Sequence, residues 1–281
     1  MARLAGLSGT PNRCKQKGTP PMPDTTDQVI LSRRDGHVAI LELNRPPHNF
    51  FDVDMIARIA DELDRLQGDK TCRAVLLQAG GSAFCAGADF SRRDGAAAPR
   101  SASRINPIYL EALRIFSFGK PIVAAIEGPA VGGGLGLALA ADFRVSCAQA
   151  RFSANFNRLG FHPGFALSYT LPALIGKQMA AWMLYTGTRV DGARAREMGL
   201  VDFIVPRAEV RGAALALARE LATSSPRALQ STRQTLKADS LSHIRNAISR
   251  ESAEQAIQFA GPDLAEGVKA MAERRLPVFE D

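Results

Sequence analysis

Residues 128–142 read GPAVGGGLGLALAAD, three consecutive glycines and then Gly136 ahead of an apolar run that closes on Asp142. The preceding PIVAAI (121–126) has the pattern of a buried strand, so a strand delivers small residues to a helix N-terminus. The first N–H groups of a helix have no intrahelical partner, and together with the helix dipole they favour negative charge. With no side chain in the way, an N–H near Gly133 can come close to a ligand oxygen. Tight helix–sheet packing asks for the same glycines, so this turn alone leaves both roles open. Two familiar glycine chemistries are disfavoured. Gly132-x-Gly134 is followed by Leu137 where a dinucleotide fingerprint needs Gly or Ala, and Gly134-x-Gly136 by Leu139. A phosphate-cradling P-loop needs Gly-Lys-Ser/Thr, and no lysine is near.

The elements that would hold this turn read as α/β. VAILEL (38–43) is a strand followed by the turn residues Asn44-Arg45-Pro46-Pro47. Asp52 can cap a helix in which Ile56, Ile59, Ala60, Leu63 and Leu66 recur at helical spacing, with Gly68 as its stop. RAVLLQ (73–78) is a second strand, and a glycine-bearing loop runs over 79–89. An arginine-rich loop covers 91–104, a helix 107–118, and a strand resumes at 144–146. Beyond Gly187 the pattern is helix after helix, with Pro226 and Pro262 opening two of them.

The 281 residues suffice for a sizeable core, and 46% hydrophobic with 22% charged residues excludes wholesale disorder. The longest nearly uncharged apolar stretch, 130–141, is too short for a bilayer, so no membrane partner is expected. Cys14, Cys72, Cys85 and Cys147 show no metal-ligand spacing and read as free thiols of a reducing, cytoplasmic compartment, without metal. The net charge of +7 owes four positives to Arg3, Arg13, Lys15 and Lys17. Residues 1–26 read as a disordered basic extension, 27–205 as the core, and 206–281 as a helical region. Met22 is an alternative start. No aromatic interleaving or helix-turn-helix pattern supports a nucleic-acid partner.

A second small-residue turn, SAFCAGADF (82–90), lies upstream of the glycine cluster. The pair resembles the crotonase superfamily, the enoyl-CoA hydratase/isomerase family, with its AGAD and GGG segments at this separation. LNRPPHN (43–49), YTGTRVDGARAREMGLVDFIVP (185–206) and PDLAEGVKAMAERRLPVF (262–279) are similar to further stretches of that family. The resemblance implies an α/β crotonase-like spiral of ββα units with a C-terminal helical trimerisation region, assembled as a homo-trimer or a dimer of trimers. It implies an acyl-CoA thioester substrate, with coenzyme A as part of it and no separate redox cofactor or metal. The N–H groups of Ala86 and Gly133 would form the oxyanion hole. Pro47, His48, Ala88, Asp89, Phe90, Tyr109, Gly132, Gly136, Asn155, Phe156 and Gly164 would surround the substrate. Asp89 is expected to cap the helix after its turn rather than to catalyse.

The chain departs from the hydratase pattern at both acids. Gly136 and Phe156 stand where hydratases of the family carry glutamates. Hydration needs a base for water and an acid for the α-carbon, and neither residue is one. Arg158 occupies the position of a further acid found in dienoyl isomerases. His162, in GFHPG, is the first candidate for a replacement acid or base, against a role holding its loop by a backbone hydrogen bond. Hydrolysis, C–C cleavage, decarboxylation and isomerisation remain open, as does a non-catalytic acyl-CoA-binding or regulatory protein. Tyr109 or Glu111 could face the acyl group, and Asn155 could orient water. Arg92, Arg93, Arg100 and Arg104 could pair with CoA phosphates, and Arg274 and Arg275 could reach a neighbouring subunit's CoA.

Overall fold

The computed structural model describes residues 28–89 and 105–280. The basic extension, Phe90 and the four arginines of the 91–104 loop lie outside these residues.

Two apolar segments make the centre of the main sheet. Strand β2 (Val38–Leu43) is buried at all but Glu42, and β3 (Ala74–Ala79) at every position. Strands buried on both faces call for a parallel sheet covered by helices. The sheet runs β1 (Ile30–Asp35), β2, β3, β4 (Ile122–Ile126), β6 (Phe143–Ser146), β9 (Phe203–Ile204). Every pair is parallel except β1–β2, a hairpin with Ile30 opposite Leu43. A small second sheet joins β5 (Ala130–Val131), β7 (Arg151–Ser153) and β8 (Arg189–Asp191). Strand pairs followed by a helix recur along the chain. β1 and β2 lead to α1 (Val53–Gly68), β4 and β5 to α3 (Gly133–Ala140), and β6 and β7 to α4 (Leu167–Ile175). Between them β3 leads to α2 (Pro107–Ser117).

The caps follow local chemistry. Asp52 Oδ1 accepts from Met55 N (2.9 Å) at the start of α1. Asn106 Oδ1 accepts from Ile108 N (3.0 Å), and Pro107 fills the first position of α2, where no N–H is needed. Asp142, closing the glycine segment, takes Ile122 N (2.8 Å), Arg233 and Lys237. Burial alone would raise its carboxyl, but Lys237 and Arg233 pull it below the ordinary value.

The segment after Gly187 corrects the expectation of helices alone. α5 (Lys177–Thr186) gives way to β8, which pairs antiparallel with β7, and after α6 (Gly192–Glu197) β9 extends the main sheet beside β6. Strands of two or three residues have too few positions for a period to show, and exist because a partner edge is there to receive them. The later helices are α7 (Val210–Thr223), α8 (Pro226–Leu236), α9 (Ser240–Gln258) and α10 (Asp263–Ala272). α7 lies across β2, β3, β4 and β6, and α9 packs on α2 and α4. The helical region thus helps to close the core. No helix among the described residues is long and apolar enough to cross a membrane.

Candidate active site

The two small-residue turns meet backbone to backbone. Cys85 N donates to Pro129 O (3.1 Å) and Val131 N to Cys85 O (3.0 Å), a parallel bridge between Cys85 and Ala130. Side chains would prevent this approach. A Cβ on Gly134 would lie 2.7 Å from the Cys85 carbonyl carbon, and one on Gly87 would lie 2.9 Å from Val131 O. The 43–49 turn is tied into the same assembly. Pro47 O accepts from Ser82 N (2.9 Å) and Ala83 N (3.2 Å). Buried Asn49 completes the stitch, with Nδ2 donating to Gly80 O (2.6 Å) and Ala83 O (2.8 Å) and Oδ1 accepting from Arg45 N (2.8 Å). Sequence reasoning passed over Asn49, although an Asn after a Pro-Pro turn is a candidate for the left-handed backbone it adopts (φ 51°).

This network shifts one of the two expected donors. The Ala86 N–H is engaged with His48 O at 3.0 Å, so it is not open to a ligand. Two residues on, Ala88 bridges Phe51 through the flanking bonds Phe51 N to Gly87 O (2.9 Å) and Asp89 N to Phe51 O (3.4 Å). That pairing leaves the Ala88 N–H without an acceptor among the described residues. The Gly133 N–H, at the first position of α3, is likewise unengaged, beyond the positive-φ Gly132 (54°). The turns therefore offer Ala88 and Gly133.

Both donors line a cavity of about 200 Å³. Ala86, Tyr109, Gly132, Asn155 and Phe156 line it with them, so seven of the expected residues come together. Its remaining walls are largely apolar, with Phe50, Phe51, Phe161, Phe165 and Phe259 joining Phe156 and with Arg189 at one edge. Phe156, Phe161 and Phe259 form an edge-to-face chain with centroids 5.5 and 5.0 Å apart. Pro47, His48, Asp89, Gly136, His162 and Gly164 do not line it. Pro47 and His48 contribute backbone carbonyls to the turns instead. The residues Asp89 was expected to cap, and Phe90 itself, lie outside the described chain. Glu111 pairs with Arg114.

No carboxylate and no imidazole lines the cavity among the described residues. At Gly136 a Cβ would meet Phe165, with Cβ at 2.6 Å and Cδ1 at 2.9 Å, so a buried ring fills the space a side chain would need. His162 donates its N–H to Gln258 Oε1 (2.6 Å), and its ring Nδ1 lies 2.8 Å from Pro163 O. A carbonyl only accepts, which assigns the proton to Nδ1. This placement fits the loop-holding alternative, and His162 does not line the cavity. Cys85 does not line the cavity, and burial pushes its thiol up to about 12, which disfavours the thiolate a nucleophile needs.

Helix α9 holds this wall in place. Tyr109 Oη donates to Gln255 Oε1 (2.7 Å), and Gln255 Nε2 donates to His162 O (2.7 Å). Burial drives the Tyr109 phenol far up, so it stays protonated. A Cβ on Gly164 would run into the Tyr109 hydroxyl, with Tyr109 Cζ and Gln255 Nε2 both 2.7 Å away, so the glycine makes room for this pair. Glu251, fully buried, accepts from Ala166 N (2.8 Å), Ser168 N (2.9 Å) and Ser168 Oγ (2.6 Å). It thereby fixes Phe165 and Ala166, both in the left-handed region (φ 60° and 61°).

Burial raises the Glu251 carboxyl above its ordinary 4.5, partly offset by the bonds from Ser168 and Ala166 and by the field of His162. A native value above the unfolded one means that the native state holds the extra proton between the two. Stability then falls as pH rises through that window. The advantage of wild type over Glu251→Gln in urea midpoint is expected to be largest near pH 4.5 or below, to shrink through the window and then to level off. An advantage that grows with pH would contradict this account.

A spiral of ββα units in which two glycine-bearing turns close on an apolar cavity is the crotonase fold. The chain belongs to the enoyl-CoA hydratase/isomerase family, whose model matches residues 33–281. It is 30% identical over 262 residues to an enoyl-CoA hydratase of Mycobacterium tuberculosis, covering 89% of this chain and 96% of that protein. It is 30% identical over 257 residues to the 1,2-epoxyphenylacetyl-CoA isomerase of Escherichia coli, covering 90% and 98%. The crystal structure of an enoyl-CoA hydratase/isomerase from Pseudoalteromonas atlantica superposes with a TM-score of 0.82 at 30% identity, covering 90% of this chain and all of that one.

Proposed function

We propose that this chain is an acyl-CoA enzyme that binds the thioester carbonyl through the N–H groups of Ala88 and Gly133 and stabilises the enolate or oxyanion formed there. The observation that carries this reading is the convergence of two unengaged backbone donors on one apolar cavity. Negative charge on the thioester oxygen grows as the enolate forms, and preorganised donors in a dry site favour the transition state over the ground state. Each is worth ~3–4 kcal/mol where such charge develops.

The aromatic lining argues against hydration. Water would need a base, and Gly136 and Phe156 offer none. The cavity suits a reaction in which the substrate generates its own enolate. Loss of CO2 from a malonyl-type thioester is the simplest case. The bond between the α-carbon and the carboxylate breaks, its electron pair passes to the thioester oxygen held by Ala88 and Gly133, and a proton from solvent later returns to the α-carbon. A desolvated apolar wall favours departure of the neutral CO2 over retention of the carboxylate.

The absence of any carboxylate or imidazole from the described lining also favours a second reading, an acyl-CoA-binding protein without turnover. Crotonyl-CoA, a malonyl-type thioester and a branched acyl-CoA, each followed by product analysis and by calorimetric binding, separate the two. The expected result is binding of the thioesters, CO2 release from the malonyl type, and no hydration of crotonyl-CoA. Binding of all three without turnover would establish the second reading, and binding of none would overturn both.

A further inference from the structure

The acyl cavity shares a wall with a larger groove of about 880 Å³, since Val131, Asn155, Leu159, Arg189 and Met271 line both. The groove's lining carries Arg158, Arg189, Arg274 and Arg275 and, among the described residues, no carboxylate. These arginines differ in how far they are satisfied. Arg275 pairs with Glu266 and Glu273 (both 2.6 Å), and Arg158 Nε donates to Thr186 O (2.8 Å). The guanidinium groups of Arg189 and Arg274 have no hydrogen-bond or ion-pair partner among the described residues. The strand pairing fixes where Arg189 stands. β8 runs antiparallel to β7 with Arg189 opposite Ser153, two residues before Asn155 of the cavity wall.

Resting on the proposal that the cavity receives a thioester's acyl group, we infer that the acyl group handled here ends in an anion, a carboxylate at its far end, which Arg189 receives where cavity and groove meet. The apolar walls suit a hydrocarbon middle, and at their end the Arg189 guanidinium, exposed on β8, can exchange water for a carboxylate. Guanidinium pairs with carboxylate through two parallel hydrogen bonds, which gives direction as well as attraction. Arg158 and Arg274 add a positive field with no acid in the described lining to cancel it, and a concave wall concentrates that field.

The test compares matched thioesters of equal chain length, adipyl-CoA with hexanoyl-CoA and suberyl-CoA with octanoyl-CoA, and free CoA beside them. Dissociation constants are measured by calorimetry for wild type, Arg189→Met and Arg189→Lys. At the length that reaches the groove, the wild type is expected to prefer the carboxylate end by roughly tenfold. Arg189→Met should erase that preference while leaving the methyl-ended affinity unchanged, and Arg189→Lys should keep part of it. No preference at either length, or a preference that survives Arg189→Met, overturns the inference while the acyl-CoA reading stands. If Arg189→Met weakens free CoA as much as every thioester, the arginine reads CoA phosphates and the inference fails. If none of the thioesters binds, the acyl-CoA reading itself has failed.

Discussion

Gly134→Ala is expected to lower kcat by roughly 10²–10³-fold on whichever thioester the wild type turns over, with a smaller change in KM. Gly134 contributes no donor itself; it permits the donors to stand where they do. A Cβ there would sit 2.7 Å from the Cys85 carbonyl carbon and 2.9 Å from Cys85 Cβ. The obstructing carbonyl belongs to backbone and cannot rotate aside, because Cys85 O and N are both committed to the partner turn through Val131 and Pro129. The methyl must therefore push the turns apart, and Ala88 and Gly133 ride on opposite sides of that seam. Donors displaced by about 1 Å lose most of their preference for the transition state. Ground-state binding, which does not depend on charge at the thioester oxygen, is expected to change less. Overpacking also costs about 1–3 kcal/mol of stability, so turnover is read on protein whose thermal transition shows it to be folded. Gly212→Ala is the paired control. That glycine lies exposed within α7 with no atom within 4 Å of the added carbon, and alanine there is expected to stabilise by up to about 1 kcal/mol with activity intact. A Gly134→Ala enzyme with wild-type kcat would remove the two turns from the mechanism.

Local signals carried much of the fold and the turn that holds the open Gly133 N–H. The cap at Asp52, the five apolar positions of α1 and the buried strand before the glycine cluster were all legible, because each is written in adjacent residues. Strand β1 was not, since ILSRRD exposes half of its residues on a sheet edge and carries no apolar alternation. The open N–H of the first turn, at Ala88 rather than Ala86, was hidden for a related reason. Residues 86–88 are all small, and only the hydrogen bonds from Phe51, Asp89 and Ala86 reveal which N–H is left over. Glu251, Gln255 and Phe165 escaped notice altogether. Their roles come from α9 packing against a loop about 85 residues upstream, as in the bond from Ala166 N to Glu251. No spacing rule in the sequence links partners that far apart.

Restoring a hydratase acid at Gly136 is expected to fail unless Phe165 is changed with it. In Gly136→Glu the new Cβ would stand 2.6 Å from Phe165 Cβ and 2.9 Å from Cγ, with the carboxylate directed into a fully buried ring. Phe165 cannot yield, because it packs against Phe51 and Phe116 at centroid distances of 5.7 and 6.1 Å and its backbone is held by Glu251 through Ala166. Overpacking and an unpaired buried carboxylate together should cost about 3 kcal/mol or more, read as a fall in the urea midpoint, and crotonyl-CoA should remain unhydrated. Phe165→Ala would not suffice, because the clash begins at Cβ. Phe165→Gly removes that carbon and accepts the φ of 60° without strain, at about 3–5 kcal/mol for the lost ring. In the pair, each change relieves part of the other's defect, so the double variant should be more stable than the sum of the singles by about 1–3 kcal/mol. Hydration should emerge only when Phe156→Glu joins the pair, since one carboxylate cannot serve both water and the α-carbon. Additive stabilities would show that Gly136 and Phe165 do not share one space. A hydratase produced by Gly136→Glu alone would show that the ring moves aside, and with it would go the argument that this cavity is closed to water chemistry by Phe165.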